Sequence, residues 1–386
     1  MRWITETILR RYGIAGSILS EEELRGGNVN RTYCVYVRDG RRQTRYLVQK
    51  LNPEAVRQPR VMLRNMVVVT DHLLRKGIRT AKLYPVGVSG ERFLELRRHA
   101  HGMHGAGDGA THSAGTSGSA FVTEYWRVEE YLEAVDVSPE DNDVLLAMAR
   151  AFGQFDAALA DMPRNRLQGT GQGFHDTHLR FRQLWKAAEE DVCGRTAEVR
   201  AELASLKMLE EEACEVSLRY AAGEFPVRIT HNDTKFNNVL FTDAKPPYGA
   251  IVIDFDTVME GLIAYDFADS VRSTAKKVGG DADTPTAQID LEKFRIIAEG
   301  YLAETGDILT AEEIAVMAPC TLAVTAELAA RYLTDFLAGD RYFKIEEPLQ
   351  NLRKARLNLA FAQDIRGRME KLQSIVAETA GRFRFG

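Results

Sequence analysis

Between about Leu24 and Leu132, apolar and polar residues alternate in short runs: NRTYCVYV, RYLVQKLN, ERFLELRR and FVTEYWRVEEYL, the first two separated by the turn-prone RDGRR. A period of two sends successive side chains to opposite faces, so these runs predict strands of a small antiparallel sheet. One helically spaced stretch, roughly Arg60 to Lys76, interrupts them and ends at Gly77, a residue suited to the left-handed position after a helix. The opening MRWITETILRRYG predicts a first amphipathic helix. Beyond Pro139 the period becomes 3.6, in DNDVLLAMARAFGQFDAALADM, HDTHLRFRQLWKAAEED and TAEVRAELASLKMLEEEACEVSLRYAAG. A short β region from Val227 to about Asp256 breaks that pattern, and about four further helices follow.

The change of period divides the chain into a small β-rich N-terminal lobe, residues 1–133, and a larger, mainly helical C-terminal lobe, residues 134–386: an α+β organisation. Residues 98–120, rich in Gly, Ser, Ala and His, have no period and predict a mobile hairpin loop. Its histidines, His99, His101, His104 and His112, lack metal-ligand spacing and read as part of a polar insertion.

Composition narrows the class. With 386 residues, 45% of them hydrophobic, the chain has enough apolar content for two domains, which excludes a disordered tail. The 50 basic and 55 acidic residues are too evenly balanced to argue for nucleic acid or an anionic membrane as partner. Their distribution is uneven: residues 1–136 hold 21 basic and 15 acidic residues, and residues 137–386 hold 29 and 40, so the basic surplus lies N-terminal, which would suit an anionic cofactor there. Cys34, Cys193, Cys214 and Cys320 form no pair or framework and read as reduced thiols. No apolar run approaches the length of a membrane span. A cytoplasmic protein, monomeric or homodimeric, is expected.

The candidate chemistry lies in PVRITHNDTKFNNVLF and the following GAIVIDFDTV. A strand delivers His231, Asn232 and Asp233 into a polar turn, Asn238 comes five residues later, and a second strand runs up to Asp254. A carboxylate, a carboxamide and a second carboxylate around one point suit phosphoryl transfer. Asp233 can accept the proton of an attacking hydroxyl, and Asn238 and Asp254 offer hard oxygen ligands to Mg²⁺. A hydrolase with paired carboxylates would not explain the intervening Asn. His231 reads as a pin for the turn. Asp256 shares the strand face of Asp254 and could touch metal, touch substrate or cap the turn. In the first lobe, Gly26-Gly27 would let backbone N–H groups approach phosphate oxygens, although no Walker A loop is present. Lys50, at the end of RYLVQ, is a candidate cation for the α/β-phosphates.

These segments resemble the aminoglycoside phosphotransferase/choline kinase superfamily, which has a two-lobed protein-kinase-like fold. The likeness to its N-acetylhexosamine 1-kinases runs through THNDTKFNNVLF, VIDFDTVMEGLIAYDFADSVR, GFHDTHLRF and RYLTDFLAGDRYFK. The resemblance implies Asp233 as catalytic base, Asn238 and Asp254 as magnesium ligands, and Arg331 and Tyr342 as sugar contacts. It matches Gly27, Asn30, Thr32 and Tyr33 to the family's nucleotide loop, from which Arg31 departs. It also implies that Tyr131 and Leu132 lie beside adenine; the plain alternative is that both are core. In such folds the strand cation pairs with a Glu on the next helix, where this chain has Arg64; Glu54 is the nearest substitute. The implied activity is transfer of the γ-phosphate of ATP to the anomeric hydroxyl of an N-acetylhexosamine, GlcNAc or GalNAc. The competing acceptors are an aminoglycoside, choline or an amino alcohol, and the competing class is a nucleotide-binding pseudoenzyme.

Overall fold

The computed structural model describes residues 4–24, 30–52, 56, 58–99, 121–169 and 174–383. Helix α1 (Glu6–Arg11) precedes strands β1 (Ser17–Leu24), β2 (Arg31–Asp39) and β3 (Arg42–Lys50), and α2 (Pro59–Arg75) precedes β4 (Leu94–His99) and β5 (Phe121–Glu130). All five strands make one antiparallel sheet in the order β1-β2-β3-β5-β4. Of the expected mobile loop, residues 98 and 99 complete β4, and residues 100–120 lie outside the described residues.

The chain forms two compact units, Met1–Leu63 with Ala81–Tyr131, and Arg64–Thr80 with Leu132–Gly386. This division differs from the sequence boundary at 133/134 in falling between Tyr131 and Leu132 and in grouping most of α2 with the second unit.

In the first unit the period of two sorts the sheet into two apolar faces. On one, Tyr33, Val35, Val37, Val48, Trp126 and Val128 pack on Ile8, Leu9 and Tyr12 of α1 and the turn after it. The buried Tyr12 hydroxyl donates to the Trp126 carbonyl (3.0 Å) and ties that turn to β5. On the other face, Leu51 and Tyr125 pack against Met62 and Leu63 at the start of α2. That face also holds the buried ion pair of Arg127 and Glu129 (2.5 Å).

The second unit is mainly helical. It contains α3 (Asn142–Leu159), α4 (Thr177–Glu190), α5 (Arg200–Ala221), β6 (Arg228–Thr230), β7 (Val239–Phe241), β8 (Ala250–Val252), β9 (Met259–Gly261) and α6 (Ile263–Thr274). There follow β10 (Lys276–Gly280), β11 (Pro285–Ile289), α7 (Leu291–Thr305), α8 (Ala311–Ala315), α9 (Met317–Leu337), α10 (Gln350–Gly367) and α11 (Met369–Phe383). The sequence pattern missed the β10–β11 hairpin, which is short and largely polar, and α8, whose five residues are too few to display a period. Helix α9 is the unit's axis and packs against α4, α5, α6 and α10. Helices α3 and α7 approach closely through glycines. A Cβ on Gly300 would lie 2.8 Å from Ala149 Cβ and 2.9 Å from the Leu146 carbonyl oxygen, and one on Gly153 would lie 2.9 Å from the Tyr301 carbonyl oxygen.

Candidate active site

The turn after β6 is held from several sides. Asn232 takes the left-handed conformation (φ 64°), and its backbone N–H and that of His231 donate to the Asp266 carboxylate at 2.7 and 2.6 Å. His231 is buried against Phe152, Phe155 and Phe255. Its Nε2 lies 2.9 Å from the Ile253 carbonyl oxygen, and its Nδ1 accepts the Asp233 N–H at 3.3 Å. His231 is therefore a pin between the two strand-end segments, and Asp233 projects from a fixed backbone.

Asp233 Oδ2 accepts from Lys235 Nζ (2.5 Å) and from Asn238 Nδ2 (2.9 Å). Burial alone would raise this carboxyl's pKa, but the ammonium of Lys235, helped by Asn238, outweighs burial and holds it below the ordinary carboxylate value. No donor among the described residues reaches Oδ1, which leaves that oxygen to accept a proton. Lys235 is held in its charged form by Asp233, with Asp254 and Asp269 adding to the effect. This lysine, two positions after Asp233, escaped the sequence reading, although the Asp-Thr-Lys spacing was its signal.

Asn238 is buried and closes the short turn Phe236–Asn238; its amide nitrogen is spent on the Asp233 carbonyl (2.7 Å) and carboxylate. Its backbone carbonyl accepts from Ile253 N–H (3.0 Å), which brings the neighbouring Asp254 close to this turn. Asp254, two residues beyond the end of β8, is exposed and left-handed (φ 68°). The fit to Mg²⁺ is good in kind: Asn238 Oδ1 and the Asp254 carboxylate are hard oxygen donors, and this ion usually takes one or two protein oxygens and fills its shell with phosphates and water. Among the described residues no group of three or more His, Cys, Asp or Glu forms an all-protein metal cage.

The structure brings together the two residues expected at the acceptor. The half-buried Arg331 guanidinium lies 5.8, 6.0 and 5.7 Å from the ring centroids of Phe174, Tyr342 and Phe343. The loop carrying Tyr342 is fixed by Asp335, whose carboxylate accepts the N–H groups of Arg341, Tyr342 and Phe343 at 2.8–2.9 Å. Arg180 of α4 is a second cation here: burial, reinforced by the charge of Arg331, lowers its pKa. Behind them stands a buried ion pair of His175 and Glu327 (3.4 Å), in which each partner's charge overcomes its burial. Neither Arg180 nor Arg331 has a carboxylate ion-pair partner among the described residues. Tyr332 feels charges from both this corner and the turn after β6: burial raises its phenol, and the charges of Arg272, Arg331 and Lys235 partly offset that rise. Arg180, His175 and Glu327 were not singled out from sequence, because their meeting depends on α4 packing on α9.

In the first unit, Gly27 and Glu54 lie outside the described residues. Asn30 Oδ1 accepts the Asn52 N–H (3.0 Å) and ties the start of β2 to the end of β3. Lys50 shares the face of Val48 and Trp126 against which α1 packs, opposite the face that packs on Met62 and Leu63 at the start of α2. Its partner is Glu124 of β5 (Nζ–Oε1 2.7 Å), which answers the question raised by Arg64, itself exposed. A cavity of about 430 Å³ beside this pair is lined by Arg31, Tyr33, Lys50, Arg98, Glu124 and Trp126. Tyr131 stacks under the Arg45 guanidinium (5.4 Å), and Leu132 is buried. No helix among the described residues is long and apolar enough to cross a membrane.

Solved structures similar to this chain include a microcompartment-associated aminopropanol kinase (16% identity, TM-score 0.59, covering 97% of this chain and 98% of that one). An aminoglycoside phosphotransferase from Alicyclobacillus acidocaldarius is similar at 14% identity and TM-score 0.57, covering 99% and 97%. A spectinomycin phosphotransferase, solved with ADP and spectinomycin, is similar at 12% and 0.54, covering 97% of each chain. At such identities the likeness carries the fold, and it is the expected α+β protein-kinase-like one. The sequence model of the phosphotransferase enzyme family (APH) matches residues 20–296, and the chain belongs to that family.

Proposed function

We propose that this phosphotransferase moves the γ-phosphoryl group of ATP, with Mg²⁺, to a hydroxyl of a neutral sugar, with the anomeric hydroxyl of an N-acetylhexosamine such as GlcNAc or GalNAc as the best single candidate. The observation that carries the chemistry is Asp233, anchored through Oδ2 by Lys235 and Asn238, with Oδ1 met by no donor among the described residues. In this reading Oδ1 takes the hydroxyl proton as the acceptor oxygen bonds to the γ-phosphorus. The bond from phosphorus to the β,γ-bridging oxygen breaks, and ADP leaves. Lys235 offers its ammonium to the oxygens of the transferring group and holds Asp233 in place. Asn238 Oδ1 and Asp254 would hold the metal, and a magnesium ion bound there neutralises phosphate charge against the incoming oxygen. Lys50 is the proposed cation for the α/β-phosphates.

The acceptor reading rests on charge. An amino alcohol or aminoglycoside brings an ammonium group, which Arg180 and Arg331 would repel; the carboxylate that partly offsets them, Glu327, is already paired with His175. Hydroxyl and acetamido oxygens accept from guanidinium, and the Phe174, Tyr342 and Phe343 rings offer apolar surface to the sugar's C–H groups. Amine-bearing acceptors remain the competing reading, because the similar aminopropanol kinase and spectinomycin phosphotransferase are named for them.

Purified protein with Mg-ATP is expected to release ADP on free N-acetylhexosamines above the rate with aminopropanol, choline or aminoglycosides. Faster release with the amines would overturn the sugar reading. Asp233→Asn is expected to abolish turnover and keep ATP affinity. Wild-type protein that binds ATP and turns over no acceptor would instead identify a binding module.

A further inference from the structure

A second buried carboxyl stands behind the catalytic turn, and the mechanism above does not use it. Asp156 of α3 is 1% exposed, and Asp266 is fully buried. The Tyr301 hydroxyl of α7 contacts Asp156 Oδ2. Among the described residues no N–H or O–H donor is directed to the buried Asp156 Oδ1, and the carboxyls of Asp156 and Asp266 interact directly. The other titratable groups around the pair are His231 of the turn and, beyond Tyr301, Glu313 of α8, which is paired with Arg228.

Two facing carboxylates with no cation between them cannot both be ionised away from water. The hydrogen bonds decide which one keeps the proton. Asp266 accepts two backbone N–H groups, those of His231 and Asn232, and these favour its charged form. Asp156 has one hydroxyl contact and an oxygen with nothing to accept, so as a carboxylate it would be an uncompensated buried charge. As an acid, the same oxygen becomes a donor, and Asp266 is the acceptor in front of it. We infer that Asp156 is a positioning residue for Asp233: it keeps its proton and donates it to Asp266, whose carboxylate then holds the His231–Asn232 backbone. The inference rests on the reading of Asp233 as catalytic base.

Helix packing supplies the placement. Gly153, one turn before Asp156, lets α3 reach the Tyr301 backbone, and no larger residue fits that contact without displacement. Asp266 is thereby fixed on one side by Asp156 and on the other by a turn whose Asn232 is left-handed. Without the donor, Asp266 keeps its charge but loses its orientation, and the turn it holds is the one that presents Asp233.

The test uses the full chain as wild type, Asp156→Asn and Asp156→Leu, with kcat and both KM values measured on the acceptor that wild type turns over. The Asn amide still donates to Asp266, so Asp156→Asn should hold kcat to within about 3-fold. Asp156→Leu should lose about 10- to 100-fold in kcat with KM for ATP and acceptor little changed. Loss of kcat in Asp156→Asn as large as in Asp156→Leu, or retention of kcat by Asp156→Leu, overturns the inference. If the Leu variant does not fold, the infrared difference between wild type and Asp156→Asn at neutral pH decides. The carbonyl stretch of a protonated carboxyl should appear in wild type only, and an ionised-carboxylate difference overturns the proposal. Absence of acceptor-dependent turnover in wild type would defeat the Asp233 reading, and the infrared result would still stand as a separate answer.

Discussion

At the scale of single residues, the site depends on charges placed a few ångströms apart in partly dry surroundings. Lys235 is the clearest case, because its ammonium anchors Asp233 at 2.5 Å and is itself held charged by Asp233. Lys235→Met should lower kcat by about 100- to 1,000-fold, the range for losing one preorganised charge-stabilising donor, and steady-state kinetics checks it. In the proposed function Arg331 contacts the acceptor. Arg331→Met should raise the acceptor KM by about tenfold through loss of charge-assisted hydrogen bonds, with KM for ATP unchanged. Asp233, Asn238 and Asp254 were legible in the sequence because one hairpin carries all three. Asp266, Arg180 and Glu327 were not, since each reaches its partner only through helix packing, and a buried Arg or Glu on a helix looks like any solvated one until its neighbours are known.

Elements set which side of the sheet a residue serves. Alternation along RYLVQK was enough to place Lys50 on a strand, but the face it shares with α1 depends on register, with Lys50 opposite Trp126. The resemblance left the carboxylate partner of Lys50 open, because Arg64 stands where the family has a Glu on the next helix; the start of α2 packs on the opposite face, and Glu124 of β5 is the partner. Lys50→Met should raise KM for ATP and leave the acceptor KM unchanged. An unchanged KM for ATP would move the phosphate contacts to the other face, where Gln49 and Arg127 lie. The glycines of α3 and α7 are an element-scale requirement too. Gly300→Ala should destabilise the protein by about 1–3 kcal/mol, because backbone and a core methyl line the space its Cβ would enter. Urea unfolding measures this, and activity per folded molecule should be preserved. Periodicity found these helices, whereas the closeness of their contact could not be read from either one alone.

For the molecule as a whole, the +6 and −11 charge balance along the sequence now has chemical content in both units. The first unit collects Arg31, Lys50 and Arg98 around one cavity. The second uses buried carboxylates to hold its turn and its lysine. One lysine there works against stability: burial, with the nearby charge of Arg272, pushes Lys276 down from 10.5 to about 8. Between those values the unfolded chain carries the proton and the folded one does not. Folding therefore releases a proton, and this group's contribution to stability rises with pH from about 8 to 10.5 and is flat above. Lys276→Met should raise the urea midpoint at pH 7, with the gain shrinking as pH approaches 10.5. The central claim, phosphoryl transfer to a sugar hydroxyl at Asp233, is tested most directly by ³¹P NMR of the protein with Mg-ATP and N-acetylglucosamine. The account predicts a phosphomonoester signal split by the anomeric proton, absent with Asp233→Asn; ATP consumed to inorganic phosphate alone, or no new signal with active nucleotide binding, would contradict it.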